Sequence, residues 1–257
     1  GGLGFEGEDE DAARADDREY AVSRRYPLEA KFGLGRVGVG GFVVGLALGS
    51  HALLFAQAFV LRWSVTWIAW SLYVVAVSSF HFLEFYSTAR HKWKDLSYDS
   101  YLLNHSTAYS FAMAAACVEY WLESLVFFRP PVPCVVAGVV IVALGQALRY
   151  VAMATAGEHF CHKIMTRKDR SHELVTTGVY RVFRHPAYVA WFYWSIATQL
   201  LLANPVCFFA FAFAAWHFFN DRIPYEEHTL LVFYPDTYPA YARRTVLGIP
   251  FIASTRF

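Results

Sequence analysis

Two short segments of this 257-residue chain carry the side chains best suited to chemistry: Arg184-His-Pro-Ala-Tyr188 and Asp221-Arg-Ile-Pro-Tyr-Glu226-Glu227. An arginine such as Arg222 supplies a planar two-donor fork that fixes a carboxylate. A glutamate such as Glu226 accepts from hydroxyls or pairs with an ammonium. The rings of Tyr180, Tyr188 and Trp191 offer faces to a flat heterocycle or a cation. The same residues also fit a plainer role. Arg222 and Glu226 have the i, i+4 spacing of a surface ion pair worth only about 0.3–0.5 kcal/mol, and Pro224 between them is expected to spoil helix continuity. His185 before Pro186 fits interfacial packing equally well. His159 and His162 lack a third ligand at convincing spacing, so no metal is expected.

A site requires the two segments to meet, and the sequence between them provides the means. The apolar region Tyr188–Phe219 is broken at Asn204-Pro205, where proline lacks a donor and its ring clashes with the preceding turn. This pattern predicts a tight hairpin of two short helices whose feet stand side by side. Four longer apolar runs precede it: Val37–Leu61, Thr66–Tyr86, Asn104–Phe128 and Val132–Thr155. Each reaches the roughly 20 residues that cross a bilayer core. The expected fold is an all-α integral membrane protein of about six transmembrane helices, with a polar cofactor-binding loop at 156–187 and a polar C-terminal segment.

Hydrophobic residues make up 56% of the chain and charged residues 17%, against roughly 45–50% and 25% in ordinary soluble domains. The net charge of +1 argues against a nucleic-acid partner. The four cysteines form no CxxC pair and fit buried thiols. Residues 1–32, acidic from Glu6 to Glu19, are expected to be disordered. Residues 33–257 form the membrane-embedded domain, with the site region at 156–257. Because residue 1 is Gly rather than Met, a natural N-terminus further upstream is expected, with the first span acting as its own insertion signal.

Lys and Arg decide orientation, because they stay in the cytoplasm when loops are short. Of the 22, only Arg62 and Arg129 fall on one face and Arg149 within a span; the rest lie in 1–36, 87–103, 156–187 and after Asn220. Both termini and the polar loop are therefore expected on the cytosolic side. Polar density in 156–187 and 220–244 favours an enzyme at the membrane surface over a channel. Glu84, Asn104 and His105 fit interfacial anchors, and Arg149 faces the bundle interior or snorkels to the cytosolic interface. Trp191–Trp194 fits an interface belt, and Lys163–Arg170 a solvated, lipid-facing basic loop.

The chain resembles the isoprenylcysteine carboxyl methyltransferase family. The resemblance is carried by His81-Phe-Leu-Glu-Phe, Asp99-Ser-Tyr-Leu-Leu-Asn-His105-Ser, Thr155-Ala-Gly, His172 to Tyr180 and the block Arg184-His-Pro-Ala-Tyr-Val-Ala-Trp-Phe-Tyr-Trp-Ser-Ile-Ala-Thr-Gln199. It continues in Asn204-Pro, Asp221-Arg222, Glu226-Glu227, Tyr238-x-x-Tyr241 and Gly248-Ile-Pro-Phe. The N-terminal third matches only in helical character.

This resemblance implies a multi-pass enzyme of the endoplasmic reticulum membrane. It would methylate the α-carboxylate of a C-terminal S-prenylcysteine, farnesyl or geranylgeranyl, on processed CaaX proteins such as Ras-like small GTPases. It implies S-adenosyl-L-methionine as cofactor, held by His172, Glu173, Leu174 and Val175, by Tyr180, by His185, Pro186, Ala187 and Tyr188, and by Glu226. Met165 stands at a further contact position, and Arg222 matches the substrate arginine. There are departures: Met165 replaces a polar glutamine, leaving a backbone contact there, Ala187 replaces a Ser, Ala190 a Gly, and Ile223-Pro-Tyr225 acidic residues. A carboxylate nucleophile has a reference pKa of about 3.5 and needs no general base, so positioning is what remains. An isoprenoid would enter from lipid, because exposing it costs about 0.8 kcal/mol per CH₂.

Membrane phospholipid N-methyltransferases share Arg-His-Pro-x-Tyr and the Glu pair, and sterol reductases share part of the pattern with NADPH as donor. Leu102-Leu-Asn-His105 and Asp221-Arg222 speak against both. A non-enzymatic membrane scaffold would bind no cofactor.

Overall fold

The computed structural model describes residues 22, 25, 27–30, 32–104, 106–126, 129–165, 168 and 173–252. The acidic N-terminal stretch, His105 and His172 lie outside these. Among the described residues the regular structure is helical, with no strand beyond an isolated parallel bridge between Phe183 and Val246. The helices are α1 Leu34–Val60, α2 Val65–His91, α3 Thr107–Leu125, α4 Val132–Ala156, α5 Pro186–Leu202, α6 Pro205–Phe233 and the short α7 Tyr238–Arg244.

By length and composition three runs among the described residues can cross a membrane, Leu34–Val60, Val65–His91 and Val132–His159, each holding an 18-residue stretch of mean hydropathy 1.8, 1.4 and 2.0 respectively. Helix α1 exposes Leu34, Phe42, Leu46, Leu53, Phe59 and Val60, an apolar surface that lipid accommodates and water does not. Helix α5 is only 17 residues long and buries most of them. It is the inner helix of the bundle, apolar all round because protein surrounds it. The interface of α4 with α5 is the most extensive in the molecule. A Cβ added to Gly138 would lie 2.5 Å from the Leu201 backbone, so glycine sets how closely these helices approach.

The hairpin expected at Asn204-Pro205 is present, but its second arm is long. Ala203 closes α5 in the left-handed region (φ 58°, ψ 35°), and Pro205 opens α6 where its missing donor leaves no gap. Glu119 of α3 accepts from the backbone N–H groups of Val206 and Cys207, both at 2.7 Å, satisfying first-turn donors of α6. Helix α6 then runs for 29 residues, straight past the break expected at Pro224. Proline removes one internal hydrogen bond there, but Ile223 and Glu227 on either side are fully buried, and that packing keeps the turn helical. The third span likewise starts later than expected, at Thr107. Ser106 caps it, accepting from the Tyr109 N–H at 3.1 Å, and Asn104 stays in the preceding loop.

Candidate active site

The open end of the α5–α6 hairpin borders a cleft of about 140 Å³. Met165, Glu173, Leu174, Val175 and Tyr180 line it from the polar loop, His185, Pro186, Ala187 and Tyr188 from the start of α5, and Glu226 from α6. Every described cofactor residue expected from the sequence is thus on one cavity wall. Arg222 is not among them. It lines a second, larger cavity of about 550 Å³ together with Ser87, Asp99, Asn104 and His162. The strap Phe160–Lys163 runs along that cavity and also contributes to the cleft.

Local sequence explains how the walls are held. Gly178 adopts φ +55°, the left-handed turn that glycine tolerates, and leads into a short 3₁₀ turn ending at Arg181. The Tyr241 hydroxyl donates to the Tyr180 carbonyl at 2.9 Å, tying α7 to that turn. The Arg184 N–H donates to Val246 O at 3.0 Å and the Val246 N–H to Val182 O at 2.9 Å, so the segment after α7 clamps the start of the Arg-His-Pro motif. Beneath it, Val189 and Phe192 of α5 pack against Phe219 and Ile223 of α6 and against Leu247 and Ile249.

Across the hairpin the two motifs interlock. The Tyr188 hydroxyl donates to Glu226 Oε2 at 2.5 Å and accepts from Arg222 Nε at 2.8 Å. Arg222 Nη2 donates to the His162 carbonyl at 2.5 Å. The simple i, i+4 ion pair is therefore replaced by a relay through a tyrosine of the other helix. One turn away in the fold, Arg184 Nη1 meets Glu227 Oε1 at 2.8 Å, with both side chains buried.

His185 lies 3.6 Å from a carboxylate oxygen of each of Glu226 and Glu227 and stacks on Tyr188. Those separations exceed hydrogen-bond length, and its Nε2 has no hydrogen-bond partner. Burial opposes charge on this imidazole, but the two carboxylates outweigh it and raise its pKa to about 9. Glu226 is the converse. Burial disfavours its ionised form, yet His185, Tyr188 and Arg222 hold its carboxyl below the usual carboxylate range. Burial, Tyr241 and Glu226 push the Tyr180 phenol upward, keeping it neutral.

Several residues sit elsewhere than the sequence suggested. Glu84 is no interfacial anchor: it is fully buried and holds Arg149, whose Nε and Nη2 both bond its carboxylate, the latter at 3.0 Å. Arg149 Nη1 also donates to the Ala187 carbonyl at 3.1 Å, which brings it to the cleft wall from behind. Two opposite charges on separate spans were the available signal. Lys168, which is exposed, also donates from its Nζ to Phe233 O at 2.8 Å at the end of α6. Trp191 packs on Phe218 and Phe219 rather than lining the cleft.

The arrangement sets a cleft with acidic and aromatic walls beside a cavity bearing an oriented guanidinium, two compartments suited to a cationic donor and an anionic acceptor. Residues 137–232 match the family model described as the isoprenylcysteine carboxyl methyltransferase (ICMT) family. The chain is 40% identical over 216 residues to the protein-S-isoprenylcysteine O-methyltransferase of Xenopus laevis, covering 82% of this chain and 75% of that one. It is 38% identical over 245 residues to the Saccharomyces cerevisiae protein of the same name, covering 92% and 97%. Its fold matches the solved structure of the eukaryotic intramembrane Ras methyltransferase ICMT with a TM-score of 0.81 at 33% identity, over 96% of this chain and 87% of that one. Related at this level over most of its length, the chain belongs to the isoprenylcysteine carboxyl methyltransferase family and is an all-helical membrane methyltransferase.

Proposed function

We propose that this protein transfers a methyl group from S-adenosyl-L-methionine to the α-carboxylate of a C-terminal S-prenylcysteine on processed CaaX proteins, Ras-like small GTPases among them. The observation that carries the reading is the Tyr188 relay, which joins the cleft wall at Glu226 to the guanidinium of Arg222 in the neighbouring cavity.

The cleft fits the proposed cofactor. A cationic sulfonium and ribose hydroxyls suit the Glu226 carboxylate and the acidic Glu173, and an adenine ring suits the faces of Tyr180 and Tyr188. When bound, S-adenosylmethionine supplies an electrophilic methyl group. The chain's own residues do the rest. Arg222 keeps Nε on Tyr188 and one Nη2 hydrogen on His162, so its remaining donors are aimed by two anchors and bind the acceptor carboxylate. The acceptor is ionised at neutral pH and loses no proton. Orientation and exclusion of water are the protein's contributions.

In this reading six helices cross the endoplasmic reticulum membrane, with the site and both termini cytosolic, and residues 33–257 form one catalytic domain. Lipid delivers the prenyl chain. The test is to mix purified protein with radiolabelled S-adenosylmethionine and N-acetyl-S-farnesylcysteine and to count base-labile methyl ester. Ester formation is expected; label in phosphatidylethanolamine instead would overturn the assignment.

A further inference from the structure

Glu84 has no part in the reaction as described, yet it is an ionisable group on a membrane helix with 1% of its side chain exposed. Its charge is already answered by Arg149, which contacts both carboxylate oxygens. A second partner is not needed for that purpose. Nevertheless His162 Nε2 also meets Glu84 Oε2, at 2.8 Å, from the far side of the chain.

His162 sits in an irregular strap. The 3₁₀ turn Gly157–His159 ends at Phe160, and among the described residues no backbone–backbone hydrogen bond fastens Cys161–Met165 to the rest of the protein. What fastens this stretch at its middle is His162 itself, by its ring to Glu84 and by its carbonyl, which accepts from Arg222 Nη2 at 2.5 Å. The chain of contacts therefore runs from α2 through the strap to α6: Glu84, His162, Arg222. A loop carbonyl can orient a guanidinium only as firmly as the loop is held.

We infer that Glu84, acting through His162, is a positioning residue for the acceptor side: it fixes the strap carbonyl that aims Arg222. This rests on the proposed role of Arg222 toward the acceptor carboxylate. Neither Glu84 nor His162 touches substrate in this scheme. Arg149, on the other edge of the same carboxylate, reaches Ala187 at the cleft wall, so one buried glutamate holds both compartments in register.

The test uses the purified full chain in detergent, with methylation of N-acetyl-S-farnesylcysteine for kinetics and calorimetric binding of S-adenosylhomocysteine for the cleft. His162→Ala is expected to raise the acceptor KM on the order of tenfold, to change nucleoside affinity less than twofold and to leave the melting temperature unchanged. His162→Gln, whose amide can still donate to Glu84, is expected to recover most of the loss. An acceptor KM within twofold of wild type for His162→Ala overturns the inference. So does an equal loss on both substrates, or a loss that follows the melting temperature, since each marks a general structural role. Glu84→Gln removes the charge that answers Arg149 as well as weakening the His162 anchor, so it is expected to raise the acceptor KM, weaken the nucleoside and lower the melting temperature together; an acceptor KM within twofold of wild type in this variant also overturns the inference. Wild-type ester formation is measured alongside, so failure of the functional assignment itself is seen separately.

Discussion

Tyr188 gives its hydroxyl hydrogen to the Glu226 carboxylate at 2.5 Å, from a position between that residue and Arg222. Its removal is the most direct probe of the relay. Tyr188→Phe keeps the ring and its stack on His185 but leaves Glu226 without one donor and Arg222 Nε without its acceptor. An unsatisfied buried partner costs about 1–3 kcal/mol, so kcat/KM is expected to fall on the order of tenfold or more with little loss of folded protein. Steady-state kinetics beside a thermal melt decides it, and an unchanged kcat/KM counts against the relay.

Arg222 and Glu226 are expected to separate by function. Arg222→Ala should lower turnover on the order of a hundredfold or more while S-adenosylhomocysteine still binds, because under the proposed assignment Arg222 serves the acceptor and not the cleft. A lost charge-assisted bond of about 1.5–3 kcal/mol predicts that Glu226→Ala weakens that ligand on the order of tenfold or more. The reverse pattern in calorimetry and kinetics refutes the division of roles.

His185 gives the site a pH dependence of defined sign. Its pKa is raised from 6.5 to about 9, so the folded state holds a proton that the unfolded chain releases earlier. The stabilisation is fully present below about pH 6.5 and is lost as pH rises through about 9. Melting temperature should therefore decline across that window, and His185→Gln should flatten the decline. A profile equally steep in the variant assigns it elsewhere.

The Arg184–Glu227 pair makes a structural prediction. Both partners are buried, and removing one partner of such a pair leaves an uncompensated charge, typically at a cost of about 3–5 kcal/mol. Glu227→Ala is expected to lower the melting temperature and the yield of monodisperse protein far more than Glu226→Ala does. Parity between the two variants in a detergent melt would remove the distinction.

Gly138→Ala tests the approach of α4 to α5. The added methyl group meets backbone at Leu201, which cannot swing aside as a side chain can. Overpacking of this kind typically costs about 1–3 kcal/mol. Thermal stability should drop, whereas the exposed Val140→Ala on the same helix should be nearly silent.

Much of this was legible in the sequence because it is written locally. The apolar runs marked the helices, Asn204-Pro205 marked the turn, and a hairpin can only bring Arg184–Tyr188 and Arg222–Glu226 together. What escaped depends on tertiary packing. Pro224 carries a local signal to stop, and the burial of Ile223 and Glu227 overrides it. The pairing of Glu84 with Arg149 joins helices that are distant in sequence, and nothing in either neighbourhood names the other as partner. The anchoring of Arg222 by the His162 carbonyl is invisible for a different reason: every residue has a carbonyl, and only the fold says which one is used.

The parallel bridge between Phe183 and Val246 ranks among the smallest elements of the fold, yet it makes the stretch from Thr245 to Ile252 a buttress for the Arg-His-Pro motif. A fusion partner or a cut introduced there would act on the reaction centre at close range. Purification handles for this enzyme therefore belong away from this stretch.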